Sequence, residues 1–186
     1  MQSAKQIQRD KNMDLQLAQE KDAVLGQDFL TWLWFKSEAQ NHVFKTSEDE
    51  DFAIYIGQRI VVEGGVGESL EKAVCTGMMS RLQEAKQGLR SGKKVVQAKV
   101  TMEEDSNSWS MQLDASMFSF NGLKTPKMDT QAQDGDEPDG IFLEKMYLLE
   151  RAMYFTDELY REFLGLRLSP EWIQECRRIR EWMQQD

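Results

Sequence analysis

Residues 93–113, KKVVQAKVTMEEDSNSWSMQL, read as two neighbouring strands of an antiparallel sheet. Val96, Ala98, Val100 and Met102 fall on one side of an extended chain, with Val95, Gln97, Lys99 and Thr101 on the other, the period of two that a half-buried strand requires. A polar turn around Asn107 leads into Trp109, Met111 and Leu113, which alternate again, so a hairpin or meander is predicted. Phe118 and Phe120 continue the pattern, and Asn121-Gly122 is a dipeptide that tight hairpin turns favour. Upstream, Phe52, Ile54 and Ile56 alternate with Ala53 and Tyr55. Gly57-Gln58 marks a bulge or turn before Ile60-Val61-Val62, and Gly64-Gly65-Val66-Gly67 closes the unit. The segment around Ala73–Thr76 fits no single period.

Helices flank and interrupt this β-rich middle. Asp28 stands where a helix cap is expected, and Phe29, Leu30, Trp32, Leu33, Trp34 and Phe35 surround the following helix with apolar groups. A helix apolar all round is buried all round or covered by a partner subunit. Met79, Leu82, Ala85 or Lys86, and Leu89 have helical spacing, with Gly92 as the stop. Residues 141–166 carry Phe142, Met146, Leu149, Ala152 or Met153, Leu159, Tyr160 and Phe163 at helical intervals. Ser169-Pro170-Glu171 then reads as the start of a last helix striped by Trp172, Ile173, Cys176, Ile179 and Met183. The expected class is α+β, an antiparallel sheet with an embedded helix between an N-terminal helix and a C-terminal helical hairpin. The division is a polar helix or linker over 1–26, an α+β domain over 27–124, an acidic mobile loop over 125–140 and the hairpin over 141–186.

The 186 residues are 40% apolar and 30% charged, ordinary for a globular chain, with a formal net charge of −9. An acidic chain repels nucleic acid at long range unless its positive charge is gathered locally. Two cysteines, Cys75 and Cys176, build no disulfide framework and are expected as buried thiols in a reducing compartment. Met1–Asp14 has no apolar region of a secretory leader, and the longest apolar run, Phe29–Phe35, is far short of the ~20 residues that span a bilayer. A cytoplasmic location follows, with no membrane partner.

No motif carries catalysis. His42, the only histidine, has no Ser or Cys signature near it to make a nucleophilic pair. Ser91-Gly92-Lys93-Lys94 resembles a phosphate loop but lacks the upstream glycine and the following Ser or Thr. The acidic clusters Glu48–Asp51, Glu103–Asp105 and Asp134–Asp139 lie among turn residues, which suits solvated loops better than a two-metal nuclease. No enzyme, cofactor, metal or small-molecule substrate is expected.

Positive charge gathers in one segment. Between Glu71 and Thr101 seven basic residues face two acidic ones, a local net charge of +5. Arg81, Lys86, Arg90, Lys93 and Lys94 are predicted to share an edge where the embedded helix meets the next strand, with Lys99 beyond them. Such an edge attracts phosphate backbones without reading sequence. The alternative is a solvated helix face.

The order Phe29-Leu30-Thr31-Trp32-Leu33-Trp34, a strand pair, a helix leading to Gly92-Lys93-Lys94-Val95-Val96, an alternating strand, Trp109 and Gly122-Leu123-Lys124 resembles the C-terminal part of the recombination-associated RdgC proteins over residues 26–165. That resemblance implies a non-enzymatic protein that binds double-stranded DNA as a homodimer without sequence preference, in recombination or nucleoid association. Lys93 and Lys94 would then meet the phosphates first, with Arg81, Lys86, Arg90 and Lys99 next. The competing expectation is a dimeric interaction or scaffold protein that touches no nucleic acid, using the Trp32/Trp34/Phe35 cluster and the long Met-containing helix.

Overall fold

The computed structural model describes residues 25–65, 70–77, 79–127 and 138–185, with the side chains of all but 79–82, 138 and 139. The predicted polar segment up to residue 24, the second half of the Gly64–Gly67 turn and most of the predicted acidic loop (128–137) lie outside the described residues.

The class is α+β. Helix α1 (Gly26–Ala39) precedes strands β1 (Val43–Lys45), β2 (Asp51–Gly64) and β3 (Glu71–Gly77). Helix α2 (Met79–Arg90) leads to β4 (Lys94–Glu104), β5 (Asn107–Asp114) and β6 (Ser119–Lys124), and α3 (Pro138–Arg167) and α4 (Trp172–Gln184) complete the chain. Every strand pairing is antiparallel, in the order β1-β2-β4-β5-β6, with β3 also paired to β2. The segment that fitted no period, around Ala73–Thr76, is β3, whose burial alternates weakly because Cys75 alone is fully covered.

One face of the sheet is dry. Ile54, Met102 and Trp109 are aligned across β2, β4 and β5, as are Ile56, Val100 and Met111, and Ile60, Ala98 and Leu113, all of them buried. The helices cover this face, and α1 lies at the centre with Phe29, Trp32, Leu33 and Trp34 fully enclosed. Phe29 meets Phe163 of α3 at 5.5 Å, and Trp34 meets Trp182 of α4 edge-on at 5.0 Å. Of the two covers open to an all-apolar helix, the chain supplies its own. The Trp32/Trp34/Phe35 cluster is core, because α3 and α4 fold over the side that the sheet leaves uncovered.

Several local expectations are corrected. Asp28 does not cap α1; the helix begins at Gly26 after Leu25 in a left-handed conformation, and Asp28 is buried in the first turn. Gly26 permits this start, since a Cβ there would lie 2.0 Å from the Ala115 carbonyl oxygen. Asn121-Gly122 is not a hairpin turn. It lies inside β6, with Gly122 at φ +63°, where the β5–β6 register shifts. Val95, not Val96, is buried with Ala98 and Val100, because a register shift between Val61 and Val62 inserts a residue opposite β2. Gln58, by contrast, sits at positive φ inside a bulge of the continuous β2, as the Gly57-Gln58 pair suggests. Ser169 does not cap α4: its hydroxyl donates to the Leu166 carbonyl and closes α3 instead. Finally, α3 begins at Pro138, so the last three residues of the predicted loop are helical.

Candidate functional site

The described residues of the basic segment are each engaged by a local partner. Lys86 is only 8% exposed; its ammonium pairs with Glu38 of α1 at 2.9 Å and lies 4.7 Å from the Trp182 ring centroid. Glu38 also accepts hydrogen bonds from the indoles of Trp34 (2.8 Å) and Trp182 (2.6 Å), so Lys86 completes a junction of three helices. Arg90 donates to the Met183 and Gln185 carbonyls, where α4 runs out of intrahelical donors. Lys93 turns to β3 and pairs with Glu71 at 2.5 Å, which holds the Glu71 carboxyl below its ordinary range. Lys94 turns toward α1 and pairs with the buried Asp28 at 3.2 Å. Lys99 donates to Gln58 at the β2 bulge. The side chain of Arg81 lies outside the described residues.

Of the four described members of the predicted edge, Lys86 and Arg90 both meet the last turn of α4, Lys93 reaches β3 and Lys94 reaches α1, with Lys99 at the β2 bulge. Helical and strand periodicity place each side chain on its own element. Partners at long sequence separation (Glu38, Glu71, Asp28 and the end of α4) decide where each one reaches. Lys86, Lys93 and Lys94 are each matched by a carboxylate, whereas Arg90 and Lys99 donate to uncharged oxygens.

His42 does acquire a serine, one that sequence spacing gave no reason to single out. Ser37 Oγ lies 2.8 Å from His42 Nδ1, and both groups reach the Ile54 carbonyl, at 2.7 and 3.1 Å. A nucleophile needs a free hydroxyl and room for substrate. Ser37 is 1% exposed and donates to that carbonyl, so the pair ties the end of α1 to β2.

The acidic clusters at Glu48–Asp51 and Glu103–Asp105 are brought to the same end of the sheet, since Ala53 pairs with Glu103. Between them stands Arg151 of α3, bonded to Glu50 at 2.6 Å and to both oxygens of Glu104. The guanidinium lies over the Phe155 ring at 4.7 Å. Among the described residues no group of three His, Cys, Asp or Glu side chains is arranged to hold a metal ion. The third cluster, Asp134–Asp139, falls outside the described residues or their described side chains. Cys75 and Cys176 are both buried, and burial raises the Cys75 thiol above its ordinary pKa.

Among the described residues, exposed large apolar side chains gather most densely on α3. From Leu148 onward the helix is anchored by Leu148, Ala152, Phe155, Leu159 and Phe163, and by the Trp109 indole, which donates to the Leu148 carbonyl at 2.8 Å. Before Leu148 the anchoring stops. Phe142 through Tyr147 are all exposed, Phe142 at 61%, Leu143 at 65% and Tyr147 at 56%, and the apolar run continues as Leu149 and Met153. The sequence contains this as two interleaved apolar series, 142/146/149/153 and 148/152/155/159/163. Helical spacing alone does not say which one faces the core.

No helix among the described residues is long and apolar enough to cross a membrane. No family model, curated protein or solved structure matches the chain, so the resemblance to the RdgC proteins finds no support from those comparisons.

Proposed function

We propose that this chain is an interaction or scaffold protein that works by protein–protein contact, and that the contact is made by the exposed apolar face of α3. The observation that carries this reading is the unbroken exposure of Phe142–Tyr147, which places four large apolar side chains in water over nearly two turns. Contiguous apolar exposure on a soluble chain marks a contact site, whereas single exposed apolar residues need no explanation. Methionines on the same face (Met146, Met153) add adaptable contact area.

The competing reading is sequence-independent binding of duplex DNA. Its support is the +5 segment between Glu71 and Thr101. Against it stand the carboxylate partners of Lys86, Lys93 and Lys94.

Two measurements separate the readings. A photo-crosslinking residue at Leu143, introduced into cells that make the protein, is expected to yield a discrete adduct that disappears when Met146 and Leu149 are changed to Glu. Fluorescence anisotropy with a random duplex is expected to show no binding at low salt. Absence of any adduct, together with DNA binding that weakens steeply with salt and is lost in the K93Q/K94Q variant, would reverse the assignment. Gln is the suitable replacement, because Glu at position 94 would add repulsion against the buried Asp28, an effect unrelated to DNA.

A further inference from the structure

The Asn121-Gly122 step, found inside β6 instead of at a turn, lies in a setting that favours a covalent change. β6 is the last strand in the order β1-β2-β4-β5-β6, and among the described residues it pairs only with β5. Asn121 is aligned with Gln112 and Lys124 with Ser110, so Gly122 and Leu123 together oppose Met111 and form a bulge outside the register. Asn121 and Gly122 are both exposed. Gly122 is at φ +63°, and a Cβ there would meet nothing within 4 Å, so the backbone stands in open space.

The other described asparagines are held differently. Asn41 is exposed, but the residue after it is His42, whose backbone N–H donates to the Ser37 carbonyl at 2.7 Å. Asn107 is half-buried and in register with Glu104, and the Ser108 that follows it is in register with Glu103.

We propose that Asn121 is a site of spontaneous deamidation, with water as the only co-reactant. The Gly122 backbone nitrogen, its proton taken by hydroxide, attacks the carbonyl carbon of the Asn121 side chain. A C–N bond forms and closes a five-membered succinimide. The bond from that carbon to the side-chain nitrogen breaks, and the nitrogen takes a proton from water and leaves as ammonia. Water then opens the ring at one carbonyl or the other, giving aspartate or isoaspartate, and no atom changes oxidation state. Glycine puts no Cβ in the path of the attacking nitrogen and lets the backbone turn into the ring geometry. A bulged residue at a sheet edge is also less tightly held than one inside a regular ladder. The product adds a carboxylate to the edge strand, on the same face as Gln112.

The test incubates the full chain at mildly alkaline pH, folded and in urea, and locates modified residues by fragment-ion mass spectrometry. In the folded chain, species with a single added negative charge are expected to accumulate at Asn121, with isoaspartate exceeding aspartate. The rate should rise in proportion to hydroxide, while Asn41 and Asn107 stay intact over the same period. It should also lie within severalfold of the rate in urea, because the bulge leaves the backbone free to close the ring. G122A should slow the reaction severalfold in urea, where its positive-φ strain in the fold plays no part. A larger suppression of the reaction by folding overturns the proposal, as does modification that begins at Asn41 or Asn107. An unchanged rate for G122A in urea overturns the assignment of the Gly122 nitrogen as nucleophile.

Discussion

At the scale of single residues, the polar groups with most influence are those that tie distant segments together. Arg151 is the clearest, joining the middle of α3 to the start of β2 and the end of β4 through Glu50 and Glu104, with both it and Glu104 mostly buried. R151A is expected to cost about 2–3 kcal/mol in urea unfolding, because it strands the Glu104 carboxylate. R151K should recover only part of this, since an ammonium cannot reproduce the two-pronged contact. Glu158 accepts the Ser47 backbone N–H at 2.6 Å, and that bond holds its carboxyl below the ordinary range. A depressed folded pKa gives stability that is present above the unfolded value and lost as pH falls through the folded one. Urea midpoints from pH 7 to pH 3 should therefore fall less steeply for E158Q than for the parent chain. Glu162 has the opposite sign: partial desolvation raises its carboxyl, Lys36 offsets part of that, and Glu175 adds to the rise. Nothing in the spacing of these residues announces them. Ser47 and Glu158 are 111 positions apart, as are many pairs that never meet.

At the scale of elements, the strands were the most legible and the junctions the least. The alternations at 52–56 and 109–113 survive intact because a strand with one dry face has its side-chain period imposed by the pleat. Reading failed where backbone irregularity depends on a neighbour: the residue inserted at Val96, the Asn121-Gly122 step and the start of α1 are each set by register against another segment. Glycine substitutions separate the two situations. G26A would drive a methyl into the Ala115 carbonyl at the β5–β6 turn and should cost about 2–3 kcal/mol. G165A, on an exposed position of α3 with open space around it, should stabilise by about 0.5–1 kcal/mol. Thermal unfolding of the two variants beside the parent chain checks both signs.

At the scale of the whole molecule, one continuous cluster of buried side chains runs from the sheet through α1 into α3 and α4. Ending the chain after Arg167 would remove Trp182 from Trp34 and Glu38, and Trp172 from Phe163. That truncation is expected to abolish the cooperative melting transition followed by circular dichroism, including the part that reports on the sheet. By itself the sequence determined the α+β class, the antiparallel strands and the apolar faces that need cover, because these follow from local periodicity and the exclusion of apolar groups from water. Tertiary structure alone decided which of two apolar stripes on α3 is buried, that the tryptophan helix is core, and which partner each described basic residue meets. Those outcomes depend on contacts between positions far apart in the chain, and the identity of such partners is not encoded in any local window.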